Sequence, residues 1–409
     1  MACRLGPRPH GSLVLRTRTL IITIAYAQTH PTMSSPQPPL EIYLYIIRKV
    51  TCNTTLCALS LCCRKFRDDA QRTLFYNPRV LASYTPARHE AFIDAITSSP
   101  DRLAPMVHVY VFDSFPTVSR KLINAALRAM SNLKQLGILA RDQIYAEDVA
   151  HWTFKLDVLS WGEHQHRLLD CPSVLSAILQ NQPNLKHLRA FGDTTVPQLK
   201  MDPHWCPQLQ GVAGHASFVN LVLSHARPIC HVQWINHHGC QFVVPPVNRL
   251  TLSGPPSALG SVRYFCFKRH NDTMDQAFLR HMRSLILVDA YVVCASDKAM
   301  ADRLDFLANV PGIHRLILTG SILMHRPHPN AIPYIISARR AFRLCSNLRY
   351  IDVRHDRSRR VFYRIFPPST TSDKREVEVT MVGEDEVYAW QAMDFNLVNE
   401  EFPQSPDWT

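Results

Sequence analysis

The sequence predicts an α/β protein in two parts, a short N-terminal module of three helices and then an irregular solenoid of strand-first repeats with a curved parallel sheet. Three observations predict it. Residues 36–77 carry apolar side chains at helical spacing on one side only. From residue 104 onward a short unit recurs: an apolar residue, two others, a second apolar, one other, a third apolar. The 29 prolines outnumber the 13 glycines in 409 residues, which favours many short segments joined by stiff turns over long helices.

Within the module, Pro38-Pro39 exclude a helix before Leu40, and the charge of Glu41 suits a first turn starting there. Ile42, Ile46 and Val50 then recur every four residues with Ile47 beside them, and the polar, β-branched run from Thr51 to Thr55 ends the helix. A second stripe, Leu56, Leu59, Cys63 and Phe66 with Leu61 and Cys62 alongside, predicts a second helix; Ala70, Leu74 and Phe75 predict a short third. Cys52, Cys57, Cys62 and Cys63 fall on apolar helical faces and are expected as small core residues. About 40 residues cannot close a core alone, so a partner or the rest of the chain must cover one side.

At these residues the stretch resembles an F-box, the helical module by which substrate receptors attach to the Skp adaptor of SCF ubiquitin ligases. The family's opening Leu-Pro-x-Glu-Ile falls on Pro38-Pro39-Leu40-Glu41-Ile42, and its middle apolar helix on Leu56 to Leu61. Its Cys-Arg-x-aromatic falls on Cys63-Arg64-Lys65-Phe66 and its closing Leu-aromatic on Leu74-Phe75. Pro38 stands where the family usually has leucine, and Phe66 where tryptophan is common. The resemblance implies adaptor contact through Pro38, Pro39, Leu40, Glu41, Ile42, Ile46, Leu56, Leu59, Cys63 and Phe66. The plainer reading is a three-helix cap that docks nothing.

The repeat unit starts at Met106, Leu133, Leu156, Leu185, Leu209, Ile229, Val247, Val262, Met282, Ile313 and Leu348. Turn-formers lead into several of these, as in Ser131-Asn132-Leu133, Pro183-Asn184-Leu185, Pro207-Gln208-Leu209, Pro311-Gly312-Ile313 and Ser346-Asn347-Leu348. Between them, Val118 to Ala129, Val174 to Leu179, Ala301 to Leu307 and Ile335 to Phe342 have helical spacing; the short central steps leave room for loops or single turns only. The pattern resembles leucine-rich repeats in degenerate form, which implies a curved parallel sheet in which each unit buries its apolar positions against its neighbours. A doubly wound parallel sheet is the competing fold, and a propeller signature is absent.

Val361 to Ile365 and Val377 to Val382 alternate as two closing strands, and the acidic remainder with Trp390 is expected as a helical or frayed cap without a binding role. The domain organisation expected is therefore 1–33, a disordered extension or over-long start before the module; 34–80, the F-box-like module; 81–365, the solenoid; and 366–409, a C-terminal strand and acidic cap. The acid-free first 32 residues also admit a targeting reading, through Ala25-Tyr26-Ala27 or the arginines at 4, 8, 16 and 18. Twelve cysteines without a small-domain framework fit a reducing compartment, cytoplasm or nucleus, and no apolar run has the length of about 20 residues that a membrane span needs.

The formal charge of +12 is uneven: residues 1–80 hold 11 Lys and Arg against 3 acids, and residues 370–409 hold 2 against 10. The basic residues of the body are scattered and no nucleic-acid-binding signature accompanies them, so nucleic acid is the weaker expectation. No Gly-x-Ser-x-Gly, Walker loop, His-Glu-x-x-His, Gly-x-Gly-x-x-Gly or Cys-x-x-Cys occurs, and neither catalysis nor a cofactor is expected. Nine His and Cys crowd residues 204–240, yet their spacing matches no usual zinc pattern and they are expected as ordinary side chains. The function the two resemblances imply is a non-catalytic receptor that docks on the Skp adaptor and holds a protein substrate on its repeats. In each strand the residues flanking the second apolar position should face outward, which selects His187, Arg189, His231, Arg249 and Arg315 and an acidic or phosphorylated partner. Asp352 is a rare acid at such a position. A free-standing repeat scaffold is the alternative.

Overall fold

The computed structural model describes residues 39–50, 52–62, 64–78, 86–112, 118–138, 144–162, 172–190, 199, 201–225, 227–235, 255–269, 278–292, 296–319, 334–356, 361–368 and 377–391. The fold is mixed α/β, with a mostly parallel sheet of 12 strands in chain order. The chain divides into two compact units. The first comprises residues 1–111, 115–135 and 152–154, and the second 112–114, 136–151 and 155–409. No helix among the described residues is long and apolar enough to cross a membrane.

In the first unit, α1 (Leu40–Lys49) opens after Pro39, whose carbonyl accepts from Ile42 N at 3.1 Å. Glu41 in its first turn and Arg48 and Lys49 in its last complement the helix dipole. Then come α2 (Asn53–Cys62) and α3 (Arg64–Tyr76), one residue apart. Ile47, Leu56, Leu59, Phe66 and Ala70 close a core shared by all three, with Tyr43, Leu44, Val50 and Leu74 against it. The expected second helix ran to Phe66; instead α2 ends at Cys62, and Phe66 belongs to α3. The helix α4 (Pro86–Ser98) follows, and Phe92 stacks on Phe75 of α3 at 5.9 Å. Phe92 also stacks on Tyr110 of β1 (Val109–Phe112) at 5.7 Å, and His108 N donates to Tyr76 O at 3.1 Å. Within the first unit the three helices are thus continuous with the first strand unit. The unit also holds α5 (Arg120–Ala129), capped by Ser119, whose hydroxyl accepts from Leu122 N at 3.4 Å.

The remaining elements are β2 (Gln135–Ile138), α6 (Ala146–Val149), β3 (Val158–Trp161), α7 (Pro172–Asn181), β4 (His187–Ala190), β5 (Gly211–Gly214), α8 (Ala216–Leu223) and β6 (His231–Ile235). After these come α9 (Pro256–Gly260), β7 (Tyr264–Arg269), β8 (Leu287–Val292), α10 (Asp297–Asp302), β9 (Arg315–Leu318), α11 (Ile335–Leu344), β10 (Tyr350–Asp356), β11 (Val361–Ile365), β12 (Val379–Gly383) and α12 (Glu384–Val387). From β3 to β10 neighbouring strands pair in parallel, and β11 and β12 pair antiparallel.

The register follows a simple rule. Where the unit starts at Leu133, Leu156, Leu185, Leu209, Ile229, Val262, Ile313 or Leu348, the strand begins two residues later. The residue just before each strand stacks unit on unit. Lys186 O accepts from Gln210 N at 2.8 Å and Gly211 N at 2.9 Å, and Gln210 O accepts from Cys230 N at 2.8 Å and His231 N at 3.0 Å. The side chains three residues before the start also reach back. Gln182 accepts from Leu156 N at 2.8 Å, while the Cys206 and Cys345 thiols donate to Leu179 O and Leu307 O at 3.4 and 3.2 Å.

Two starts are displaced. β8 begins at Leu287, so its unit starts at the buried Leu285 and Met282 takes the position three residues earlier; β1 likewise places its start at Val107, one residue past Met106. Val247 lies outside the described residues. The expectation of single turns in the central steps fails at α8, which has eight residues, because the amphipathic run Phe218, Val219, Val222, Leu223 is wholly buried. The expected helix from Ala301 to Leu307 is split into α10 and a 3-10 segment, Arg303–Asn309. Asp297 of α10 then caps the next helix, its carboxylate accepting from Ile336 N at 2.8 Å and Ser337 N at 3.0 Å.

Candidate protein-binding surfaces

Two surfaces answer to the expected function. On α1, Ile42, Tyr45 and Ile46 are 49%, 63% and 36% exposed, at the i, i+3, i+4 spacing of one helix face. On α2, Leu61 is 84% exposed, and Cys57, Ala58 and Cys62 are exposed with it. Single apolar side chains on a surface need no explanation; here both helices of one small core carry several. Cys52, Cys57 and Cys62 are therefore not core residues as expected: Leu56 and Leu59 turn the other side of α2 inward. Among the residues expected at an adaptor, Pro39, Glu41, Ile42 and Ile46 lie on the surface, whereas Leu56, Leu59 and Phe66 are 2%, 7% and 4% exposed and hold the core behind it. Leu40 forms the first turn of α1; Pro38 and Cys63 lie outside the described residues.

The second surface is one face of the sheet in the second unit. Alternation along the strands puts Leu159, Leu188, Val212, Val232, Phe265, Val288, Leu316 and Ile351 in one row, all fully buried. The opposite face carries two rows. The first runs Val158, His187, Gly211, His231, Tyr264, Leu287, Arg315, Tyr350, and the second Ser160, Arg189, Ala213, Gln233, Cys266, Asp289, Ile317, Asp352. The sequence-selected His187, Arg189, His231 and Arg315 thus lie on one face of the sheet; Arg249 lies outside the described residues.

That face is not open. His187 and His231 are 3% and 6% exposed, and Arg189 and Arg315 only partly exposed. The cover over its central strands is the chain's own C-terminal part. Trp390 stacks flat on Tyr264, ring centroids 4.7 Å apart, and meets His231 edge-on at 5.4 Å. Val387 joins Tyr264, Cys266, Leu287, Ile317, Phe362 and Trp390 in one apolar cluster. Around it, Val387 O accepts from Arg315 Nη2 at 3.1 Å, the Tyr388 hydroxyl donates to Asp289 at 3.4 Å, Glu384 pairs with Arg354 at 3.3 Å, and Glu386 pairs with Arg364. The segment expected to be a cap without a binding role sits on the candidate site.

Burial sets the electrostatics beneath it. Desolvation pushes both His187 and His231 down to about 3, helped by the nearby charge of Arg189, so both rings are neutral at pH 7. The same effect brings Arg189 down to about 10, still a cation. Asp352 is fully buried; burial raises its pKa, and the two hydrogen bonds from Arg364, at 2.7 and 3.1 Å, oppose that rise. Arg315 lies 3.9 Å from the same carboxylate, and both guanidinium groups stand over the Tyr350 ring, at 4.4 and 5.1 Å. Gly211 separates the two histidines in its row, and a Cβ there would lie 2.2 Å from His187 Nδ1. Gly211→Ala should therefore displace the ring and lower stability by about 1–3 kcal/mol in urea unfolding; an unchanged midpoint would show that His187 has room to turn.

Among the described residues, the histidines and cysteines of residues 204–240 form no common cluster. Burial raises Cys206 to about 12, so it is an inert thiol in the core, while His231 belongs to the sheet face. Among the described residues no group of three or more His, Cys, Asp or Glu could hold a metal ion; His237, His238 and Cys240 lie outside them.

No protein-family model matches the chain, and no curated protein matches it. Solved structures similar to it include the Rad7 and Elc1 complex of yeast, at 14% identity over 80% of this chain and 94% of that chain with a TM-score of 0.35. They also include a protein of Bacteroides fragilis, at 11% identity over 58% of this chain and 67% of that chain with a TM-score of 0.31.

Proposed function

We propose that this chain is a non-catalytic substrate receptor of an SCF-type ubiquitin ligase, working in cytoplasm or nucleus, which docks on a Skp-type adaptor through α1 and α2. The observation that supports the reading is the exposed apolar set Ile42, Tyr45, Ile46 and Leu61 over a core closed by Ile47, Leu56, Leu59, Phe66 and Ala70, within the stretch that resembles an F-box. A three-helix packet that served only as a cap would turn those side chains inward. The sheet face then holds a protein client for degradation, and the chemistry is left to other subunits.

The test is capture of a Skp adaptor by the full chain and by the Ile42→Asp/Ile46→Asp variant. Two buried charges at an apolar contact should reduce capture at least about 100-fold, while the core, which neither side chain helps to close, keeps its thermal midpoint. Absence of capture by the unmodified chain would leave a free-standing repeat scaffold as the function.

A further inference from the structure

We propose that residues 384–391, Glu-Asp-Glu-Val-Tyr-Ala-Trp-Gln, are a built-in stand-in for the client. The sheet face would bind acidic segments that carry a large aromatic side chain, and such a segment from a client would displace the chain's own. This rests on the receptor reading for the word client, and on the sheet face alone for the chemistry.

Three observations carry it. The first is complementarity: three consecutive acids precede the anchor, and two of them meet Arg354 and Arg364 on β10 and β11. Beyond them Trp390 finds a flat aromatic platform in Tyr264 with the neutral His231 ring at its edge. Recognition by an aromatic anchor in a pocket with charged pairs at its rim is how proteins bind peptide segments.

The second is the shortness of the attached element. α12 is a single turn, and the strand before it, β12, leaves Met381 68% exposed. Of the two ion pairs at the rim, only that of Glu384 is largely buried; Glu386 stays exposed, and a pair with an exposed partner adds little. Tethering supplies the rest, since a segment on the same chain faces its site at an effective concentration in the millimolar range and holds it with weak contacts. A client segment of the same chemistry competes once it binds more tightly than that.

The third is charge placement. Residues 370–409 hold 10 of the chain's 33 acids but 2 of its 45 Lys and Arg. Three of those ten acids, Glu384, Asp385 and Glu386, stand together in the segment itself, as a mimic of an acidic ligand requires.

The experiment uses the full chain and a labelled peptide of residues 384–391. The variant Glu384→Lys/Glu386→Lys loosens the tail without touching Val387 or Trp390, and Glu386→Lys alone, at a side chain 58% exposed, guards against misfolding. The expected result is peptide binding about tenfold tighter to the double variant than to the native chain, with a smaller gain for the single one. A peptide with Trp390→Ala should lose that binding, as should the double variant carrying Arg354→Glu. Equal affinity for the native chain and both variants, or binding indifferent to the peptide's tryptophan, would overturn the proposal. Adaptor capture by the same variants is read in parallel. Its loss with the peptide result intact strikes the receptor reading alone, and its retention with no peptide effect strikes this one.

Discussion

Lowering the pH from 6.5 to about 4.5 is expected to remove about 5 kcal/mol of the chain's stability, which is comparable with the whole stability of many domains. His187 and His231 are the cause. Both ionise at about 3 in the folded chain and near 6.5 when unfolded, so between those values the unfolded chain binds protons that the folded chain refuses. Each therefore costs the folded chain about 1.4 kcal/mol for every pH unit that the pH falls through that window, and the stability is fully present above it. The groups facing them do not relieve this. His187 has Arg189 and Lys186 nearby with Asp157 opposing, and His231 has His187 and Arg189 under the Trp390 ring. His89, whose ring is 2.7 Å from the Tyr110 hydroxyl and is pushed by burial to about 4, adds to the slope in the first unit. Urea unfolding at a series of pH values reads the effect. His231→Phe should remove one histidine's share of the slope, and a stability flat from pH 7 to 5 would mean that water reaches both rings.

Asp352→Asn is the second large effect, a loss of about 3 kcal/mol or more. The carboxylate has no exposed surface and takes two hydrogen bonds from Arg364, which is itself nearly buried, with Arg315 alongside. An asparagine keeps the shape and removes the charge, leaving two guanidinium groups crowded over Tyr350 without their shared counter-ion. The cost comes from the stranded cations rather than from the worth of the pair. Asp352→Leu with Arg364→Met should therefore recover most of the loss. Unfolding midpoints that fall by less than about 1 kcal/mol for Asp352→Asn would show the pair to be hydrated. Because Arg364 also holds Glu386, the substitution should loosen the tail as well, and the labelled peptide would report it.

The repeats were legible because each unit encodes its own turn and strand. Leu185, Leu209 and Leu348 are buried, turn-formers precede them, and the strand follows two residues later every time. Met282 misled because the unit has a further buried apolar position three residues before its start, filled by Met130, Leu259 and Val310 elsewhere. Weighing that position would have placed the start at Leu285. The helical stripes of residues 40–76 were equally plain, but a stripe does not say which of its sides faces a neighbour. Ile42 and Ile46 turned outward and Leu56 and Phe66 inward because Ile47, one position around the helix, became the contact.

What the sequence alone determined, then, is what depends on residues close together in the chain: most of the strand-first units and their register, several of the helices between them, and the alternation that puts His187, Arg189 and Arg315 on one face. What only the tertiary structure decided is whether that face meets water. Tyr388 reaches Asp289 across 99 positions, and Val387 reaches Arg315 across 72. Periodicity reports which side of a strand a residue takes; burial depends on what the rest of the chain lays over that side, and no local pattern records so distant a contact.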